Sequence, residues 1–246
     1  MDTLLTKSLG IKEGDKIIVF SSFGNLNADF SPGDLVKLLM KIVGPEGLIM
    51  MPYYPPLNST EWAANNETFD MRNTKSGMGV LTNVFASMPD VYMSKHPTKA
   101  VCAWGKDAKS IVEGHEKSTT PFYFDSPYGK LLKLHSKSLG LGVKNIATMH
   151  AIEDILTTPH DFYYQKNKYN LSLIDNAGVK TTVEVLVHDE NIMNKCELPG
   201  DYVYSLDCKS YKRINVGYKY VYVIDNDDLM STCEEHFKKG HTRQKK

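Results

Sequence analysis

The sequence predicts a three-layer α/β/α fold with a mixed central sheet and an antiparallel, strand-rich C-terminal extension. Two observations predict it. Short apolar runs alternate with helix-spaced runs through the first 155 residues, the pattern of a sheet covered by helices. Beyond Pro159 the chain turns to alternating β-branched and tyrosine-rich runs separated by turn residues, the pattern of hairpins. We expect one domain over 1–246, with a motif-bearing core at 1–158 and an extension at 159–246 that ends in a helix and a basic tail.

Lys16-Ile17-Ile18-Val19-Phe20 reads as a buried strand, and Ser21-Ser22-Phe23-Gly24 as a loop that can offer backbone N–H groups to an anion. Ser31-Pro32-Gly33-Asp34 carries an N-cap, a first-turn proline and an N3 carboxylate, and Leu35, Leu38, Leu39 and Ile42 follow at helical spacing. Gly44-Pro45 ends that helix, and Leu48–Met51 is the next strand. Residues 52–76 read as one long loop, rich in proline, asparagine and aromatics, of the kind that usually serves function.

A helix is expected over Met78–Met88, a strand over Ala100–Trp104, and a helix from there to Glu113. Ser126-Pro127 repeats the cap-plus-proline signal before Leu131, Leu132 and Leu134. Leu139–Val143 is a strand that stops at glycine, and a helix carrying His150 and Glu153 follows it. Leu171–Ile174 and Val183–Val187 flank the turn Asn176-Ala177-Gly178 as a hairpin. Arg213–Ile224 alternates again, and Asp225 caps a last helix over 227–239.

Composition narrows the function classes. The 246 residues are 41% hydrophobic and 24% charged with a formal net charge of zero, which gives no reason to expect nucleic acid or an acidic membrane as partner. The basic run Lys238–Lys246 reads as a solvated tail. The N-terminus lacks the pattern of a signal peptide, and no apolar run has the length of a membrane span, so a cytoplasmic location is expected. Cys102, Cys196, Cys208 and Cys233 form no CxxC pair, so neither a zinc site nor a disulfide framework is expected. There is no P-loop, no GxGxxG after a strand and no GxSxG elbow.

His150 is the residue around which the chemistry is read. It stands near a strand-to-helix junction with a carboxylate three residues on, the arrangement of a general base. The motifs in order are Phe20-Ser21-Ser22-Phe23; Gly44-Pro45-Glu46-Gly47-Leu48-Ile49-Met50-Met51-Pro52; Phe69-Asp70 with Gly77-Met78-Gly79; and Ser94-Lys95-His96-Pro97-Thr98. Gly114-His115, Ser126-Pro127 and the run Leu139–Glu153 complete the set. Over residues 1–158 this series resembles the aminoglycoside 3-N-acetyltransferase family, a superfamily of antibiotic acetyltransferases distinct from the common acetyltransferase fold.

The resemblance implies transfer of an acetyl group from acetyl-CoA, a co-substrate, to an amine, with His150 as the catalytic base. It places the acid that orients His150 in the long loop, where Glu67 and Asp70 are the candidates. It casts Ser21 and Ser22 as CoA contacts, with Ser94 and Thr98 as further candidates for the cofactor. Glu153, His115 and Asn58 are the substrate-side candidates, and Glu153 is preferred as a contact of the amine over the orienting acid. No metal is implied. His96 reads as shaping a turn before Pro97, and Ser126 as an N-cap.

Three departures bear on the acceptor. Phe20 stands where the family has histidine, Met93 where it has arginine, and Asn73-Thr74-Lys75-Ser76 where it has Thr-Pro. The resemblance implies an amine of an aminoglycoside or an amino sugar as acceptor; few acids line the long loop, which favours a less cationic amine such as an amino sugar, free or nucleotide-linked. The C-terminal region adds Glu197, Asp201 and Asp207. The competing readings are a non-catalytic relative that binds CoA or sugar, another acyl donor, or a hydroxyl acceptor. Tyrosine-rich strands after residue 200 are candidate edges for a homodimer.

Overall fold

A computed structural model describes residues 1–157, 163–189 and 208–239. Among these residues, seven strands form one mixed sheet. In chain order they are β1 (Lys16–Ser21), β2 (Leu48–Tyr53), β4 (Tyr92–Met93), β5 (Ala100–Gly105), β6 (Lys137–Leu141), β9 (Lys212–Val216) and β10 (Lys219–Asp225). Across the sheet the order is β4-β5-β2-β1-β6-β10-β9. β1 is parallel to both β2 and β6, whereas β5 and β10 run antiparallel to β2 and β6. The remaining strands, β3 (Phe69–Asp70), β7 (Tyr169–Ile174) and β8 (Lys180–Val185), make a smaller sheet in the order β3-β7-β8.

The period of two along each strand builds the layers. On one face Ile17, Val19, Ile49, Met51, Leu139, Leu141, Val221 and Val223 pack with α1 (Pro32–Val43) and α3 (Val80–Ala86). On the other face Ile18, Phe20, Met50, Val101, Ala103, Tyr222 and Ile224 pack with four helices. Those helices are α4 (Ala108–Val112), α5 (Pro127–Leu132), α6 (Thr148–Leu156) and α7 (Asn226–Lys238). Ile17–Phe20 is buried throughout because both faces of its strand are covered.

The three-layer α/β/α arrangement and the mixed sheet match the expectation. Ser31 and Asp34 form a reciprocal capping box, Ser126 accepts from Gly129 N, and Asp225 accepts from Asp227 N. The hairpin after residue 160 is β7–β8. Three details differ. The 52–76 segment is interrupted by the short helix α2 (Ser59–Ala64) and by β3, because Asn58 caps α2 through Glu61 N and Phe69-Asp70 pairs with β7. The run 213–224 is two strands joined at Gly217-Tyr218, with Gly217 at φ +55°.

The strand-rich C-terminal segment also divides between two places. β7–β8 joins β3 in the small sheet, while β10 lies against β6 in the central sheet. Glu197, Asp201, Asp207, Cys196 and the tail from residue 240 lie outside the described residues. No helix among the described residues is long and apolar enough to cross a membrane.

Candidate functional site

Local sequence fixes α6 to the end of β6. β6 runs through Gly140, which pairs with Tyr222 of β10; a Cβ at Gly140 would lie 2.2 Å from the Tyr222 ring, so only glycine lets that ring cover the strand. The Tyr222 hydroxyl then donates to Lys144 O (3.2 Å), holding the loop that leads into α6. The first residue of the helix is tied from below. Thr148 Oγ1 lies 2.8 Å from Ser138 Oγ, which donates its own proton to Asn226 Oδ1 (2.7 Å). Thr148 is therefore the donor of that pair. Asn226 closes the network by donating Nδ2 to Ser136 Oγ (2.8 Å). These groups are all buried.

α6 then presents His150, Glu153 and Asp154 at i, i+3 and i+4, which is one helical face. His150 Nδ1 stands 3.3 Å from Glu153 Oε2. Their side chains are 21% and 2% exposed, so the ring reaches the surface and the carboxylate does not. Two rings crowd the imidazole, and a third backs one of them. Phe122 lies 5.2 Å from His150 and His188 lies 4.8 Å away, while Phe122 and His188 stack on each other at 5.6 Å and 11°. Tyr164 flanks His188 at 4.8 Å.

Asp154 sits behind this group, 1% exposed. Its Oδ2 accepts from Tyr164 OH (2.7 Å) and from Thr120 Oγ1. Burial pushes its carboxyl up to about 7, against the two hydrogen bonds that favour the ion. The long loop reaches the same place from α2, where Thr60 Oγ1 donates to His188 O (3.1 Å).

The carboxylate that stands beside His150 is Glu153, the residue expected on the substrate side, whereas Glu67 and Asp70, expected to orient the ring, have other surroundings. Among the described residues no hydrogen bond or ion pair joins Glu67 or Asp70 to His150. Asp70 is committed to its own turn: its two oxygens accept from Arg72 N, Nε and Nη2 and from Asn73 Nδ2. The Arg72 guanidinium holds that carboxyl well below the usual range. Glu67 is half-buried at the end of α2, and its backbone N–H bonds to Trp62 O. Glu153 meets the ring because residues at i, i+3 are neighbours on a helix surface.

The remaining predicted residues fall into two groups, with Asn58 apart from both. Ser21 and Ser22 lie at the carboxyl end of β1, where ligands of parallel sheets commonly bind. Ser21 Oγ is closed off from solvent and has no hydrogen-bond partner among the described residues, an unsatisfied group that a ligand could use. Ser22 caps no helix with its side chain.

Ser94, Thr98, His96 and His115 form a buried polar cluster away from His150. Ser94 Oγ bonds His115 Nδ1 (2.8 Å) and accepts from Val101 N; His115 Nε2 donates to Pro121 O (3.1 Å). His96 Nδ1 accepts from the backbone N–H groups of Thr98 and Lys99. Burial drives both histidines toward the neutral form, His115 down to about 3. His115 and His96 line a cavity of about 310 Å³ together with Thr120, Lys168 and Leu186. Thr120 and Leu186 stand two residues from Phe122 and His188, so this cavity adjoins the His150 group without enclosing it. Asn58 is the N-cap of α2, bonded to Glu61.

Sequence reasoning missed Phe122, His188, Tyr164, Asp154 and Thr120. One signal was present: Val183, Val185 and Val187 alternate inward, and the buried His188 breaks the alternation.

A family profile described as aminoglycoside 3-N-acetyltransferase matches residues 18–238, well past the last of the sequence motifs near residue 158. A Bacillus subtilis (strain 168) protein, the SPbeta prophage-derived aminoglycoside N(3')-acetyltransferase-like protein YokD, is 30% identical over 158 residues; this covers 55% of this chain and 56% of that protein, so the match spans little more than half of either. Aminoglycoside N(3)-acetyltransferase III of a Salmonella species is 24% identical over 260 aligned positions, 94% of this chain and 89% of the relative. The solved structure of AAC-IIIb as a binary complex with CoASH shares the fold, with a TM-score of 0.75 at 19% identity over 96% of this chain and 94% of that one. With the profile covering nearly the whole chain and the fold shared end to end, this chain belongs to the aminoglycoside 3-N-acetyltransferase family.

Proposed function

We propose that the chain transfers an acetyl group from acetyl-CoA to a primary amine of an amino sugar or aminoglycoside, with His150 as general base and Glu153 as the acid that orients it. The contact between His150 Nδ1 and Glu153 carries the reading. With an ionised Glu153 accepting from Nδ1–H, Nε2 is the nitrogen that receives a proton. An amine attacks a thioester only as the free base, and a histidine partly open to solvent can take the proton as the nitrogen bonds to the acyl carbon. The carbon–sulfur bond breaks, and the imidazolium returns the proton to the departing thiolate. The products are an amide and CoA.

Ser21 and Ser22 hold the donor in this reading, which their position at the carboxyl end of β1 and the unsatisfied Ser21 Oγ support. The acids of the 52–76 loop favour an acceptor less cationic than an aminoglycoside. Glu61 is tied to Asn58 and Asp70 to Arg72, so Glu67 is the one acid of that loop with no side-chain hydrogen bond among the described residues. The test is a steady-state assay of free CoA release with wild type and His150→Ala over a panel of amino sugars and aminoglycosides. Wild type should turn over amino sugars, and His150→Ala should lose about 10²–10⁴-fold in kcat. Undiminished turnover by His150→Ala would exclude the base, and turnover confined to aminoglycosides would exclude the preference for a less cationic acceptor.

A further inference from the structure

We infer that Asp154 is a positioning residue for His150, acting through Tyr164 and Thr120 on the two rings, His188 and Phe122, that wall the imidazole. The inference rests on the reading of His150 as the base.

One oxygen, Asp154 Oδ2, accepts from two hydroxyls. The first belongs to Tyr164, whose ring lies 4.8 Å from His188. His188 in turn lies 4.8 Å from His150. The second belongs to Thr120, whose Oγ1 also accepts the backbone N–H of Phe122 (3.2 Å). Phe122 lies 5.2 Å from His150 on its other contact and stacks on His188 at 11°. A single carboxylate therefore ties down both walls of the imidazole. It does so from the helix that also carries the base and the orienting acid, so base, acid and clamp move as one rigid piece.

The alternative is that Asp154 only satisfies two buried hydroxyls. The geometry distinguishes a clamp from a filler: the contacts reach the ring of the base from two separate segments of the chain, 120–122 and 164–188. Orientation of a base matters steeply, because a displacement of about 1 Å can cost on the order of 10²-fold in rate.

The test uses the full-length protein with Asp154→Ala, Asp154→Asn, Tyr164→Phe, His188→Ala, and Tyr164→Phe combined with His188→Ala. Two readouts are taken: kcat and KM for both substrates, and the imidazole nitrogen NMR signals of His150, assigned by their loss in His150→Ala. Asp154→Ala should lower kcat by about 10–100-fold with KM within about two-fold. Asp154→Asn, which keeps the accepting oxygen, should restore kcat to within about three-fold. Tyr164→Phe should lower kcat by about five-fold in the wild-type background and leave it unchanged in the His188→Ala background, since the two act on one contact. It should also shift the His150 signals, a result that does not depend on turnover.

Multiplying effects in the double variant would overturn the inference, as would unshifted His150 signals in both Tyr164→Phe and Asp154→Ala. If Asp154→Ala does not fold, Tyr164→Phe and the double variant decide alone, because they leave the carboxylate in place. If no amine is acetylated by wild type, the proposed reaction fails while the NMR signals still judge the clamp.

Discussion

His150 and Glu153 show how a common residue pair becomes a specific one. An i, i+3 pair on an exposed helix contributes only a few tenths of a kcal/mol. Here the carboxylate is 2% exposed and its partner 21%, so water competes weakly for the contact and the imidazole is held in one orientation. Glu153→Gln should therefore reduce kcat by on the order of 10²-fold with little change in KM, because the amide cannot stabilise the imidazolium that forms during transfer. Stopped assays at saturating donor would check it; a KM effect with unchanged kcat would instead mark Glu153 as a contact of the amine.

The neighbouring Asp154 makes a different prediction, about stability. Its carboxyl is raised to about 7, so the folded state binds that proton more tightly than the unfolded chain does. The contribution is fully present below about pH 4 and is lost as pH rises through about 7, on the order of 4 kcal/mol over the whole span. Asp154→Asn should flatten that slope. Urea unfolding of both proteins at pH 5 and pH 8 would reveal it, and an equal pH dependence in the two would contradict it. The shared helical face of 150 and 153 was legible from spacing, although the sequence favoured Glu153 as a contact of the amine, whereas Asp154 carries no separate sequence signal until Thr120 and Tyr164 are seen to converge on it.

At the scale of elements, caps and hairpins were legible because their signals are local. Ser31-Pro32-Gly33-Asp34 and Ser126-Pro127 fix helix starts within four residues, and the β7–β8 hairpin announces its turn. The short α2 was not read, since Pro55-Pro56 obscured the cap signature of Asn58 followed by Glu61. The anchoring of α6 was also hidden. Ala147 precedes it without a side-chain cap, and the helix is held instead by Thr148 bonding a strand ten residues back.

Two substitutions separate anchoring from capping. Ser31→Ala should cost about 1 kcal/mol by removing the capping box of α1, and should leave kcat unchanged. Thr148→Val should cost about 1–3 kcal/mol by stripping a hydrogen bond from the buried Ser138–Asn226 network, and should also lower kcat, because it loosens the helix two residues before His150. Thermal denaturation alongside CoA release would show the two losses in stability and the single loss in rate. Equal effects on rate would remove the link between the network and the base.

For the whole molecule, the order of strands was the least legible feature, because it depends on pairings between distant segments. The motifs ended near residue 158, and the strand-rich remainder, expected as an antiparallel extension of the same domain, lays β10 against β6 in the central sheet, with Val221, Tyr222, Val223 and Ile224 all buried. The residues of β6 then need the C-terminus on both faces: Leu139 and Leu141 pack with Val221 and Val223, and Gly140 is covered by Tyr222. Leu229 and Cys233 of α7 complete the face that α6 packs on. Tyr164 and His188 also lie beyond residue 158, so the surroundings of His150 are built from both parts. A fragment of residues 1–158 is long enough to be a domain by size alone. It should nevertheless fail to fold cooperatively, since it leaves β6 as an unpaired edge and a large apolar surface open to water. Urea unfolding followed by circular dichroism should show one sharp transition for the full chain and a broad or absent one for the fragment, with addition of a peptide spanning 208–246 restoring part of the structure. A fragment that unfolds in a single sharp transition on its own would establish the first 158 residues as an independent unit and reduce β10 and α7 to additions upon it.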